Sequence, residues 1–192
     1  MSQYGIYFDQ TRCIGCRTCM VVCKDQKDLK PGKASYRKFF DVEEGADFAN
    51  LKTAYLVYGC NHCAEPACKE ICPANAIFKR EEDGIVYIDR NICIGCGECV
   101  TACPWNMPQI AEAVQEPVKD KAWVVDHPAQ KCDLCVDRII SGKNPACMDA
   151  CLVRAIEIAP LDVLDKKHQT ATTTAMGFTE GETKPSVRFA SK

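Results

Sequence analysis

Apolar residues along this chain come in short runs separated by turns. Tyr4–Asp9 (YGIYFD), Ala54–Tyr58 (AYLVY) and Ala155–Ala159 (AIEIA) each read as a short strand. Ala76–Arg80 and Ile85–Asp89 flank Glu81-Glu-Asp-Gly84, the pattern of a hairpin closed by a glycine turn. A further strand-like stretch, Trp123–Asp126, lies within Gln109–Lys131, a segment otherwise read as a bridge. Helical signals are equally short, around Thr18–Lys27 and Cys135–Ile140, and Pro145 is placed to open another turn ahead of Cys147. No run approaches the roughly 20 apolar residues that span a bilayer. Met1–Asp9 has neither the basic nor the apolar part of a secretory signal. The chain is therefore expected to be soluble by itself, with export or membrane attachment supplied by another chain.

Composition makes an ordinary core hard to build. Hydrophobic residues amount to 47% of the 192, but only about 39% once cysteine is set aside, which is thin for a globular domain. Cysteine itself occurs sixteen times. If those thiolates bind metal, the metal groups take over part of the core's role and folding depends on loading.

The cysteines form four groups of four: Cys13-x2-Cys16-x2-Cys19-x3-Cys23, Cys60-x2-Cys63-x4-Cys68-x3-Cys72, Cys93-x2-Cys96-x2-Cys99-x3-Cys103 and Cys132-x2-Cys135-x11-Cys147-x3-Cys151. A disulfide framework suits short secreted chains, and this one is neither short nor visibly secreted. Structural zinc takes two ligand pairs separated by a loop. The fourth group alone could pass for such a site, but the first and third pack four cysteines into eleven residues. Three short steps followed by a helical turn suit a cubane iron–sulfur cluster. In that pattern three thiolates surround one cluster, while the fourth, about one helical turn further on, faces away toward another. Pro73 and Pro104 follow Cys72 and Cys103, as in the ferredoxin Cys-Pro ending.

Gly15 and Gly95 sit in matching Cys-Ile-Gly-Cys loops, where glycine permits a positive φ and brings N–H groups toward sulfur. The other two loops, Cys60-Asn-His-Cys63 and Cys132-Asp-Leu-Cys135, lack it, a difference able to separate reduction potentials. His62 lies between two ligands but is read as a supporting or surface residue, because sixteen thiolates already suffice. His127 and His168 read as ordinary polar residues.

The formal charge of −2 would fall to about −10 with four oxidised clusters bound. Lys24, Lys69, Lys131, Arg138 and Arg154 lie near cysteines and could offset this, although most read as solvated surface charges. No basic stripe with interleaved aromatics points to nucleic acid.

Groups two and three, joined by the predicted hairpin, make a compact ferredoxin-like unit. Groups one and four then pair as a second unit into which the first is inserted, the strand after group four lying beside the strand before group one. The fold class expected is α+β: two bacterial-ferredoxin-like units, one inside the other, with short strands, short helices and many loops. The expected divisions are an outer unit of residues 1–50 plus 109–160, an inserted unit of 51–108, and a C-terminal extension of 161–192. Gln169–Lys192 is rich in threonine and poor in apolar residues. It is expected to be disordered or, in an obligate subunit, extended on a partner.

The pattern resembles the four-cluster iron–sulfur subunits of the molybdopterin oxidoreductase superfamily, nearest to the dimethyl sulfoxide reductase iron–sulfur subunit. The residues that carry the resemblance include Gln3-Tyr-Gly5, Cys23-Lys-Asp25, Cys60-Asn-His-Cys63, Glu65-Pro-Ala-Cys68, Cys93-Ile-Gly-Cys96, Lys131-Cys-Asp133, Cys135-x-Asp-Arg138, Arg154-Ala155, Pro160-Leu-Asp162 and Lys166-Lys-His168, within about residues 3–168. Two departures are minor: Leu152 follows Cys151 where the family often has proline, and Cys96 retains a position replaced in three-iron relatives.

The resemblance implies four 4Fe–4S clusters: one on Cys13, Cys16, Cys19 and Cys151, a second on Cys23, Cys132, Cys135 and Cys147, a third on Cys60, Cys63, Cys68 and Cys103, and a fourth on Cys72, Cys93, Cys96 and Cys99. It implies a wire in that order, from a molybdopterin-containing catalytic subunit to a quinol-linked integral membrane subunit or another redox partner. The chain itself would be a non-catalytic electron-transfer subunit of a molybdenum or tungsten bis-pterin oxidoreductase. The same module in a hydrogenase or formate dehydrogenase, a stand-alone polyferredoxin, and a zinc-stabilised interaction protein are the rival readings. The resemblance leaves the compartment open: membrane association through partners, on the periplasmic side by co-export or on the cytoplasmic side.

Overall fold

A computed structural model describes residues 2–117 and 119–192. Met1, at the start of the stretch read for a targeting signal, and Val118, in the bridge segment, lie outside the described residues. The chain runs through β1 (Tyr4–Asp9), α1 (Thr18–Gln26), β2 (Arg37–Glu44), β3 (Lys52–Gly59), α2 (Ala67–Glu70), β4 (Ile77–Lys79) and β5 (Val86–Ile88). It continues through α3 (Glu98–Ala102), α4 (Val136–Ile140), α5 (Ala146–Asp149), β6 (Ile156–Pro160), α6 (Leu161–Lys167) and β7 (Val187–Ala190). No described helix is long and apolar enough to cross a membrane.

Three small sheets organise these elements in the order β6-β1-β7, β2-β3 and β4-β5. β1 pairs antiparallel with β6, from Tyr4 opposite Pro160 to Phe8 opposite Ile156. This is the pairing expected of the strands outside groups one and four, and it closes the two ends of the chain upon each other. The β4-β5 hairpin aligns Ile77 with Ile88 and turns through Gly84 at φ 67°, the left-handed conformation foreseen for that glycine. β2-β3 is a longer antiparallel pair whose last register places Arg37 against Gly59, the residue before Cys60. The strand over Arg37–Glu44 was not predicted, because only Phe39, Phe40 and Val42 interrupt its charged residues.

The main core draws on the whole length of the chain. Ile6, Phe8, Tyr36, Leu56, Ile85, Met107, Leu134, Ile156 and Phe189 belong to one buried cluster together with Cys19, Cys60, Cys132, Cys147 and Cys151. A smaller cluster gathers Ala76, Ile77, Val86 and Ala129 around Cys68, Cys93 and Cys99. Sulfur is thus a structural part of both cores, as the low apolar content requires.

Two expectations need correction. Trp123–Asp126 forms no strand. Trp123 instead lies under the Arg90 guanidinium, 3.8 Å from its ring centre, while Arg90 pairs with Glu116 at 2.6 Å. The bridge is therefore anchored by charge and stacking rather than by a ladder. The C-terminal stretch is not disordered: β7 adds a parallel strand to the free edge of β1. Phe178 stacks on Trp105 at 5.5 Å and packs against Phe189 at 4.9 Å. The tail has few apolar residues, but Met176, Phe178, Val187 and Phe189 are all buried. Composition alone missed that placement.

Truncating this anchor has a measurable cost. Phe178→Ala is expected to lower the chain's stability by about 3–5 kcal/mol, the usual range for a buried phenylalanine, measured by denaturant unfolding of the chain without partners. An unchanged midpoint would mean that the tail does not pack on the core in solution.

Candidate functional site

The Cys-x2-Cys loops that open the four groups share one backbone shape. Their third residue lies in the left-handed region in every case: Gly15 at φ 70°, His62 at 43°, Gly95 at 69° and Leu134 at 55°. Such a residue turns successive N–H groups toward the concave side of a loop, an arrangement suited to an anionic group. Glycine accepts this conformation freely, whereas a side chain there is strained. His62 and Leu134 are held in it by complete burial, and His62 Nδ1 also accepts the Val86 N–H at 3.0 Å. The glycine-free loops thus differ in side-chain surroundings more than in main-chain course. The sequence marks only the two glycines.

A second repeat follows the last cysteine of three groups. Asn75, Asn106 and Arg154, each three residues after Cys72, Cys103 and Cys151, have φ of 49°, 49° and 53°. The next N–H then donates back to sulfur: Ala76 to Cys72 Sγ at 3.3 Å, Met107 to Cys103 Sγ at 3.5 Å and Ala155 to Cys151 Sγ at 3.2 Å. Cys23 lies inside α1, which runs on to Gln26. Other donors come from distant segments. The Ala129 N–H reaches Cys93 Sγ at 3.4 Å, and the Thr183 hydroxyl, from the C-terminal tail, reaches Cys63 Sγ at 3.2 Å. Each such bond favours sulfur as a thiolate over a thiol.

The sixteen cysteines meet in fours drawn from two groups at a time. Cys13, Cys16 and Cys19 line a space of about 360 Å³ with Cys151. Cys132, Cys135 and Cys147 line one of about 350 Å³ with Cys23. Cys93, Cys96 and Cys99 line one of about 330 Å³ with Cys72. The remaining four are also neighbours, since Cys60, Cys103 and Cys63 lie close enough to Cys68 for their charges to oppose its ionisation. The first two sites lie side by side, as helices α1 and α5 carry Cys19 and Cys147 into mutual electrostatic reach.

Gly59 makes one of these approaches possible. A Cβ there would come within 2.9 Å of the Tyr36 carbonyl oxygen and 3.2 Å of Cys132 Cβ. The close passage of β3 beside Cys132 therefore admits no side chain at this position.

Among the described residues, no three Cys, His, Asp or Glu side chains are placed to share a single metal ion. The thiols of three of the sets ring a common space instead of converging on a point, as the roughly 2.3 Å bonds of a zinc tetrahedron would require. The all-thiol donor sets, the N–H groups aimed at sulfur and the apolar linings fit cubane iron–sulfur clusters.

Burial makes most of these thiols reluctant to ionise. It raises Cys19, Cys63 and Cys99 to about 11, Cys23 and Cys68 to about 12, and Cys132 well above the ordinary value. Metal must therefore displace protons to bind them. Cys16 is the opposite case: it is exposed, and the Thr18 hydroxyl and N–H lower it. Cys96, at the same loop position of the third group, is the other exposed cysteine. Of the basic residues singled out from the sequence, Lys131 is not on the surface: its ammonium is buried and donates to the carbonyls of Val86 and Cys132.

Comparison with known proteins agrees with this chemistry. The family model for the 4Fe-4S dicluster domain matches residues 51–160, and that for the 4Fe-4S binding domain matches residues 4–25. The sequence is 40% identical over 174 residues to the B subunit of the anaerobic dimethyl sulfoxide reductase of Escherichia coli (strain K12), covering 87% of this protein and 78% of that one. Its identity to the corresponding subunit of Haemophilus influenzae is 39% over 178 residues, covering 88% and 80%. It is 34% identical over 162 residues to the thiosulfate reductase electron transfer subunit of Salmonella typhi, covering 84% and 78%.

The thiol environments set a pH dependence for the metal-free chain. Neutral buried thiols favour the fold fully below about pH 9, and that contribution is lost as pH rises through about 11 to 12. Iodoacetamide at neutral pH should therefore alkylate Cys16 first and spare Cys19, Cys23, Cys63, Cys68 and Cys99, as read by peptide mass spectrometry. Uniform labelling would show that these environments do not persist without metal.

Proposed function

Since the protein belongs to the iron–sulfur subunit family of the dimethyl sulfoxide reductases, we propose that it relays electrons through four 4Fe–4S clusters. The relay runs between a molybdenum or tungsten bis-pterin catalytic subunit and a quinol-linked membrane subunit or another redox partner. The ligand sets are Cys13, Cys16, Cys19 and Cys151; Cys23, Cys132, Cys135 and Cys147; Cys60, Cys63, Cys68 and Cys103; and Cys72, Cys93, Cys96 and Cys99. The observation that supports this reading is the gathering of twelve cysteines into three-plus-one sets, each around a common space, with the other four within electrostatic reach of one another.

Each bound cluster supplies a one-electron couple. The chain's own work is to hold the thiolates, exclude water and direct N–H groups at sulfur. Residues 51–108 form the unit inserted within 1–50 and 109–160. The segment 161–192, folded on its own chain, presents its outer side to a partner. Substrate chemistry belongs to the catalytic subunit.

The test is chemical analysis of anaerobically purified protein. About sixteen iron atoms and as many acid-labile sulfides per protein molecule are expected from four cubanes. Zinc, or iron without sulfide, would overturn the reading. Cys96→Ser should alter the EPR signal of one cluster and leave three unchanged. Purification from native cells should yield the protein in complex with a larger pterin-containing subunit.

A further inference from the structure

Arg37 opens β2 and is almost wholly buried, with 1% of its surface exposed. Its guanidinium lines the space bounded by Cys23, Cys132, Cys135 and Cys147. Neither Nη1 nor Nη2 has a hydrogen-bond partner among the described residues. Asp133, the carboxylate in the same lining, is already paired with Lys27 at 2.6 Å. An arginine kept for packing would find carbonyls or a carboxylate, as buried Lys131 does with Val86 and Cys132. A buried guanidinium without a counter-charge is strongly unfavourable. The groups facing it are sulfur: burial works against its charge, and Cys147, Cys132, Cys19 and Cys23, in that order, outweigh burial.

The backbone fixes this position. Arg37 is paired in register with Gly59, its carbonyl accepts the Ser35 hydroxyl at 2.6 Å, and the preceding Tyr36 carbonyl passes so close to Gly59 that a Cβ there would lie 2.9 Å from it. The guanidinium is thus a permanently charged group at the edge of one thiol quartet, with Cys19 of the neighbouring quartet also within electrostatic reach.

We propose that Arg37 sets the reduction potential of the group held by Cys23, Cys132, Cys135 and Cys147, raising it above the value the thiolates alone would give. The inference rests on that quartet holding a 4Fe–4S cluster. Reduction adds one negative charge to the cluster, and a fixed cation in a low-dielectric setting favours the more negative state. Arginine does not titrate in the accessible range, so the effect is independent of pH. Because Arg37 lines the space of this quartet and not that of Cys13, Cys16, Cys19 and Cys151, this site responds more than the one holding Cys19.

The experiment is an EPR-monitored redox titration of the intact holo-protein complex and its Arg37→Gln and Arg37→Lys variants, with iron and sulfide measured first. Cys135→Ser identifies the signal of the site concerned. Arg37→Gln should shift that midpoint downward by at least a tenfold change in the reduced-to-oxidised ratio, about 59 mV for one electron, at every pH tested. Arg37→Lys, which keeps the charge, should shift it less. If Arg37→Gln instead loses this one cluster, its retention in Arg37→Lys supports the role of charge. Full loading with all midpoints unchanged, or loss of the cluster in both variants, would overturn the proposal. Absence of labile sulfide in the wild-type protein would refute the four-cluster reading instead, before any variant is made.

Discussion

Thiols brought together from distant parts of the sequence are the constraint on which the rest of the structure depends. Cys151 lies beside Cys13, Cys16 and Cys19, and Cys23 lies beside Cys132, Cys135 and Cys147. These meetings require the two ends of the chain to come together, and the β1–β6 ladder is the main-chain form of that requirement. With so few apolar residues outside cysteine, no separate core could hold the ends in register. A filled thiol quartet does so by cross-linking four points of the chain at once, so metal loading would reinforce the packing that holds the fold.

Local backbone choices follow from the same constraint. The opening Cys-x2-Cys loop of each group has one left-handed residue that directs N–H groups inward, whether or not glycine is present. Where histidine or leucine occupies that place, burial compensates for the strain, and the loop is supported by its packing. The N–H donors after Cys72, Cys103 and Cys151, and the Thr183 hydroxyl on Cys63, add directed bonds that a hydrophobic environment alone would not supply. Electrostatics then differ from site to site: exposed Cys16 and Cys96 mark two loops near the surface, while Cys132 is deeply buried beside Arg37.

Much of this was legible in the sequence because cysteine spacing is a direct record of ligand geometry. Gly15 and Gly95 announced their left-handed residues, and the two runs flanking Glu81-Glu-Asp-Gly84 announced the β4–β5 hairpin. The rest was hidden for physical reasons. His62 and Leu134 take a glycine-like conformation that no local propensity reveals, because burial from elsewhere in the fold sustains it. Trp123–Asp126 has strand-like residues, but Arg90 claims the tryptophan. The order of the C-terminal segment was hidden because four well-placed apolar residues, Met176, Phe178, Val187 and Phe189, weigh little in a composition count. Arg37 sits in a charged stretch that reads as surface, and only the fold shows that its charge faces sulfur.

The shared-ligand arrangement is tested most directly at Cys151, which is close in sequence to Cys147 but lines a different space. Single Cys16→Ser, Cys147→Ser and Cys151→Ser variants should be compared by EPR redox titration of the loaded protein. Shared ligation predicts that Cys151→Ser alters the same cluster signal as Cys16→Ser and leaves the Cys147→Ser signal intact. If Cys151→Ser and Cys147→Ser alter one common signal that Cys16→Ser does not, each group of four binds its own cluster, and the arrangement described here is wrong.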